Sequence, residues 1–285
     1  MNENILISIC VITYNSSETV LETLDSIYSQ TYKNIELIIS DDCSKDDTIS
    51  VVATWLEEHK KRFVNVNCLS VEKNTGVTGN VNRACKKANG ELIKLIAADD
   101  KLKENYIEEC VKTFNENPEI GVLFTKIDFF GDTECMNHIE KEIDYSFFTL
   151  PVEKQFSCIV RNGIPFLPTA SAIYKAETLK RMKYFDERIP MWEDGPMYFR
   201  LTKKGIKLYL LDKSLVLYRL TNSSISHSGS YLSRKSCALF FFYYQLKDEI
   251  KVNIIKALIH CFTSFLWLHS NNKICAKFLS IIHKD

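Results

Sequence analysis

Apolar runs bounded by turn residues alternate with apolar residues at helical spacing through the first half of the chain. Residues 5–13 form a run that predicts a buried strand. Val20, Leu21, Leu24, Ile27 and Tyr28 then fall at i, i+1, i+4, i+7 and i+8, which puts them on one helical face. Asn15, with Glu18 three residues on, predicts a cap for that helix. The pattern continues with a strand over 36–41, a helix over 48–63, a strand over 64–69, a helix over 77–88 and a strand over 91–97. A helix over 105–117 carries Tyr106, Ile107, Cys110, Val111 and Phe114 inward, and a strand over 121–130 follows. The second half is less regular, with strands expected over 171–174, 207–211 and 215–218. After Ser228 the chain turns helical and aromatic, with Phe240 to Tyr244 in one block and an apolar stretch over 254–268.

Repeated strand-helix-strand units predict an α/β fold: a mixed, mostly parallel sheet flanked by helices, which binds ligands at the carboxyl ends of its strands. Each polar cluster of interest falls at such an end. No linker or internal repeat divides the chain, so residues 1–228 read as one catalytic domain and 229–285 as a helical extension. The longest uncharged run there, 257–268, contains His260 and falls short of the roughly 18 residues that span a bilayer.

Composition narrows the function. The 285 residues are 46% hydrophobic and 25% charged, with 36 basic and 36 acidic side chains, so bulk attraction to nucleic acid is not indicated. The charge is unevenly placed: 229–285 holds eight Lys or Arg against three Asp or Glu, a basic tail on an acidic body. The ten cysteines show no CxxC pair and read as reduced, buried thiols. The first apolar run follows Glu3, has no basic flank and precedes no small-residue cleavage site, so a cytoplasmic protein is expected.

Four constellations can carry chemistry. Ser8, Tyr14, Asn15 and Glu18 span the point where a strand gives way to a helix; they can hold a base and ribose, or simply cap the helix. Asp41-Asp42 ends an apolar strand, where two carboxylates are costly unless cations or donors face them; Asp42 suits a nucleobase or ribose contact, and Asp46 or Asp47 caps the next helix. Asp99-Asp100 follows the run 92–98, and paired carboxylates in a cleft suit a hard divalent cation. Glu193-Asp194, after Trp192, can cap a helix, or provide a general base whose proton affinity an apolar neighbour raises.

Together the motifs SICVITYNSSETV, ELIISDDCSKDDT, KNTGVTGNVNRA, NGELIKLIAADD, FDERIPMWEDGPMYFRLTKKG and YRLTNSSIS resemble the inverting family-2 glycosyltransferases of GT-A fold, from Ile7 to about Ser226. The resemblance implies that Thr13, Tyr14, Asn15 and Glu18 line a nucleotide pocket, with Asp42 reaching the base. It places Asn74, Gly76 and Asn82 near the ribose and diphosphate. Asp99 and Asp100 take the positions of the metal and ribose carboxylates, for Mg2+ or Mn2+, and Asp194 that of the catalytic base, with Glu193 on the acceptor side. Two positions depart from the family pattern: Ala97 stands where an Asp is common, and Thr221 where a His is common, with His227 further on.

The resemblance implies transfer from a nucleotide-diphosphate sugar to a saccharide or lipid-linked saccharide hydroxyl, with inversion, in bacterial capsule, O-antigen or other surface glycan assembly. The stretch 164–169, with two prolines, is a stiff acceptor wall or a plain connecting loop. The basic, aromatic tail fits an amphipathic surface resting on anionic lipid; a packed extension or a homodimer contact explains the same pattern. A sugar nucleotidyltransferase would need a Gly-rich, basic loop after the first strand, which residues 13–17 lack. A non-catalytic nucleotide-sugar-binding subunit remains the alternative.

Overall fold

The computed structural model describes residues 4–132, 143–165, 167–189, 191–220 and 231–268. The described strands form an eight-stranded sheet, in the order β3-β2-β1-β4-β7-β6-β8-β5. These are β1 (Ile7–Thr13), β2 (Ile35–Asp41), β3 (Asn65–Leu69), β4 (Leu92–Ala97), β5 (Lys101–Leu102), β6 (Val122–Gly131), β7 (Ile173–Lys175) and β8 (Tyr209–Leu220). Strands β3, β2, β1 and β4 run parallel, with Ile7 beside both Ile35 and Leu92. The short β7 is antiparallel to both β4 and β6, while β6 and β8 are parallel. The expected mixed, mostly parallel sheet is therefore present, with β7 wedged in at its centre.

Alternation along β1 explains the two apolar layers. Ile7, Ile9 and Val11 enter one buried cluster with Val20, Leu24 and Ile27 of α1 (Val20–Tyr28). Cys10 enters the opposite one with Val81, Ala84 and Cys85 of α3 (Gly76–Lys87). Helices α2 (Thr48–His59) and α4 (Tyr106–Glu116) complete the first layer, and all five predicted residues of α4 are buried. On α1 the predicted face is too wide: Leu21 and Tyr28 are exposed, because only Val20, Leu24 and Ile27 meet the sheet.

Several boundaries differ from the sequence reading. Asn15 and Glu18 do not cap α1; Asn15 has φ 51° and its Oδ1 accepts from Lys45 N at 2.8 Å. Asp46, by contrast, accepts from Thr48 N (3.1 Å) at the start of α2 and from Ser17 N (3.0 Å). The strands expected over 207–211 and 215–218 are one strand, β8, whose polar middle is absorbed by register shifts opposite Thr125 to Ile127. The described cysteines are free thiols; Cys10, Cys85 and Cys110 are buried, but Cys68 is exposed on the edge strand β3.

The remaining helices are α5 (Val152–Asn162), α6 (Ala176–Arg181) and α7 (Asp194–Lys203), then α8 (Tyr231–Phe240), α9 (Leu246–Val252) and α10 (Ile254–Leu268). The extension packs on α7: Phe240 meets Trp192 (5.0 Å between ring centroids) and Phe199 (5.6 Å), and Lys203 pairs with Asp248. No described helix is long and apolar enough to cross a membrane.

Candidate active site

Three groups of polar residues emerge from the strand ends. At the first, Thr13 is buried and donates to Asp41 Oδ1 (2.8 Å), which also accepts from Ser44 Oγ (2.5 Å). Tyr14, Asn15 and Glu18 stand on the exposed rim beyond it. Asp42, expected to reach a base, is committed elsewhere. Its carboxylate accepts from Thr75 N (2.9 Å), Thr75 Oγ1 (2.6 Å) and Gly76 N (2.8 Å), and pairs with Arg83 (2.8 Å). Buried, it anchors the start of α3. Asn74 is held in the same turn: its Oδ1 accepts from Gly76 N (3.0 Å), where a φ of +79° suits glycine.

Asn82, expected on the donor floor, faces the opposite segment. Its amide donates to Phe185 O (2.9 Å) and Glu187 Oε1 (2.8 Å) and accepts from Phe185 N (2.9 Å). Thr78 adds a bond to Ile189 O (2.9 Å). Helix α3 thus clamps the segment that leads to Glu193-Asp194.

The second group follows β4. Thr19, just before α1, and Thr23 within it donate to the carbonyls of Ala98 (2.7 Å) and Asp100 (2.8 Å), and Arg219 N donates to Asp100 Oδ1 (2.9 Å). Arg219 also donates through Nε to Asp99 O (3.0 Å) and pairs with Glu22 (2.7 Å), which pairs in turn with Lys101 (2.8 Å). Asp100 is buried and Asp99 half-buried, and Ala97 is exposed before them. Burial raises the proton affinity of both carboxyls, and in Asp100 the charge of Asp99 adds to the rise. Two acids held together at this cost are the donor set that a hard cation would relieve, so the residues fit one. Among the described residues no cluster of three or more His, Cys, Asp or Glu stands ready for a metal, so further ligands would be diphosphate oxygens and water.

The third group opens α7. Asp194 accepts from Thr169 Oγ1 through Oδ2 (2.6 Å) and from Gly195 N through Oδ1 (2.7 Å). Burial raises its proton affinity, against those two bonds. Glu193 is pushed up to about 7 by burial and by the Asp194 charge. Gly195 is required: a Cβ would lie 2.5 Å from Trp192 Cε2 and 2.8 Å from Ile164 Cδ1. Ile164 and Thr169 therefore border the acidic pair, while Phe166 and His227 lie outside the described residues. Thr169 and Arg219 were not singled out from sequence, because only the fold brings them to acids far away in the chain.

An α/β sheet of this order, with polar groups gathered at its strand ends, is that of the GT-A fold. The chain belongs to glycosyl transferase family 2, whose model matches residues 8–182. It is 27% identical over 274 residues to UDP-Glc:alpha-D-GlcNAc-diphosphoundecaprenol beta-1,3-glucosyltransferase WfaP of Escherichia coli, covering 90% of this chain and 96% of that one. Among solved structures it resembles S. aureus TarS 1-349 in complex with UDP-GlcNAc (TM-score 0.63, 19% identity, 92% of this chain and 80% of that one). It also resembles the mannosyltransferase PcManGT from Pyrobaculum calidifontis in complex with GDP-Man and Mn2+ (TM-score 0.62, 18% identity, 98% and 79%).

Proposed function

We propose that this glycosyltransferase moves a sugar, with inversion, from a nucleotide-diphosphate donor to a hydroxyl of a saccharide or lipid-linked saccharide in surface glycan assembly. The observation that carries the reading is the Asp194 carboxylate, aimed by Thr169 and Gly195 and kept proton-hungry by burial. Asp194 takes the acceptor proton as the hydroxyl attacks the anomeric carbon from the face opposite the leaving diphosphate. Glu193 borders the acceptor side. Tyr14, Asn15, Glu18, Asn74 and Gly76 form the exposed rim along which the nucleotide lies, with Thr13 bracing it from below.

Asp99 and Asp100 would hold Mg2+ or Mn2+, which supplies neutralisation of the charge on the diphosphate. Arg219 fixes both: its backbone amide orients Asp100 and its guanidinium holds the Asp99 carbonyl. Support for a lipid-linked acceptor comes from the name of WfaP, which specifies a diphosphoundecaprenol substrate.

The extension supplies a surface for a cytoplasmic enzyme resting on anionic lipid. Ile254, Ile255, Leu258, Ile259 and Phe262 are each more than half exposed and share one stripe of α10. A recess of about 510 Å³ is lined by Lys86, Arg181, Lys183 and Lys204 together with Asp186 and Glu187, and it reaches Tyr244 of the same extension; its basic residues could meet anionic headgroups.

The test of the donor and metal is thermal stabilisation by uridine, guanosine and thymidine diphosphates with and without Mn2+. One nucleotide should raise the melting temperature in a metal-dependent way that Asp100→Asn abolishes. Stabilisation by none of them would overturn the donor reading, and stabilisation to the same extent without metal would overturn the metal.

A further inference from the structure

Lys94 takes no part in the chemistry above, yet it lies in the middle of β4 with no solvent contact. Burying an ammonium is expensive, on the order of several kcal/mol, unless its donors are used. Among the described residues no carboxylate lies within ion-pair distance of it. Its Nζ donates instead to the carbonyls of Ala170 and Ala172 (3.4 Å for the latter) and sits 4.9 Å from the centroid of the Tyr106 ring. Tyr106 donates its hydroxyl to the carbonyl between those two, Ser171 O, at 2.6 Å. Three successive carbonyls are therefore fixed from below by one lysine and one tyrosine.

Ser171 locks the turn from its other side, its single hydroxyl proton lying between Pro168 O (2.7 Å) and Thr125 O (2.9 Å) while its oxygen accepts from Thr125 N (3.1 Å). The first residue of the turn is Thr169, the partner of Asp194. Burial pulls the Lys94 ammonium down to about 7. Even as a neutral amine it keeps two N–H groups for two carbonyls, so the contacts do not hinge on its charge.

We propose that Lys94 is a positioning residue for the transfer reaction: by drawing in the carbonyls of Ala170 and Ala172 it sets the Thr169–Ser171 turn, and through Thr169 it aims Asp194. The strand that ends in Asp99-Asp100 thereby also fixes the location of the base, so both halves of the site share one rigid support. This inference rests on Asp194 being the base. Displacing a reacting group by about 1 Å is enough to cost on the order of 100-fold in rate.

The test uses Lys94→Met, which keeps length and removes the donors, Tyr106→Phe, which removes the middle bond, and Thr169→Val. Hydrogen exchange reads the turn over 169–172 and the amides of 194–195. Donor consumption, measured with whichever of the three diphosphate sugar series the wild type turns over, separates kcat from KM. Lys94→Met should raise exchange at both places about 10-fold and lower kcat about 100-fold, with the donor KM within about 3-fold. Tyr106→Phe should act in the same sense more weakly. Combining Lys94→Met with Thr169→Val should cost little beyond Thr169→Val alone, since both act on one bond. Unchanged exchange at 194–195, or losses in kcat that add in full, overturns the proposal. Should Lys94→Met not fold, unchanged exchange at 169–172 in Tyr106→Phe overturns it equally. A wild type that turns over no donor sinks the reading of the site, while the exchange data still judge the link from Lys94 to Asp194.

Discussion

Among single residues, Glu193 makes the most direct statement about pH. Its carboxyl binds a proton more tightly folded, at about 7, than the value of about 4.3 expected unfolded. A raised carboxyl contributes stability below the unfolded value and loses it as pH rises to the folded one. The urea midpoint should therefore fall between about pH 4.3 and 7, and Glu193→Gln should flatten that decline; an unchanged slope would contradict the shift. The paired acids were legible in the sequence because their type and their place at strand ends are local facts. Their partners were not: Thr169 is 25 positions from Asp194 and Arg219 is 119 from Asp100, and neither Thr nor Arg is unusual by itself. Nothing local announces, either, the bonds by which Asp42 and Asn82 tie the start and the face of α3 to the fold.

At the scale of elements, the long-range periodicity of β1, β2, β4 and α4 sufficed because each is buried on the faces that its pattern indicates. Strand β8 read as two pieces because Asp212, Lys213 and Ser214 interrupt its apolar pattern, and only a bulged pairing with β6, its extra residues lying in β8, carries it through. Helix α3 depends on Asp42 at its start. Asp42→Ala frees two backbone amides and leaves Arg83 without its buried partner, so a loss of about 3 kcal/mol or more in urea denaturation is expected. A loss under about 1 kcal/mol would mean that solvent replaces those bonds. At the start of α7, Gly195→Ala must push Trp192 or Ile164 aside, moving Asp194 with them. Its kcat should fall at least about 10-fold with folding retained, and an unaltered kcat would show that the segment yields without moving the base.

On the scale of the whole molecule, the extension joins the segment that carries Glu193-Asp194 to an exposed apolar face, since Phe240 packs on Trp192 while α8 leads on to α10. Replacing Ile255, Leu258 and Phe262 by Glu should abolish flotation with phosphatidylglycerol vesicles and leave nucleotide binding intact. Equal flotation with phosphatidylcholine, or none alongside a dimer in light scattering, would assign that face to another partner. The central claim concerns Asp194, and a transfer assay paired with nucleotide binding tests it most directly. Asp194→Asn keeps the side chain's size and one of its two acceptor oxygens. It is expected to lose turnover by about 1,000-fold or more while binding the nucleoside diphosphate with Mn2+ as the wild type does. Turnover within about 10-fold of wild type would show that another group takes the acceptor proton.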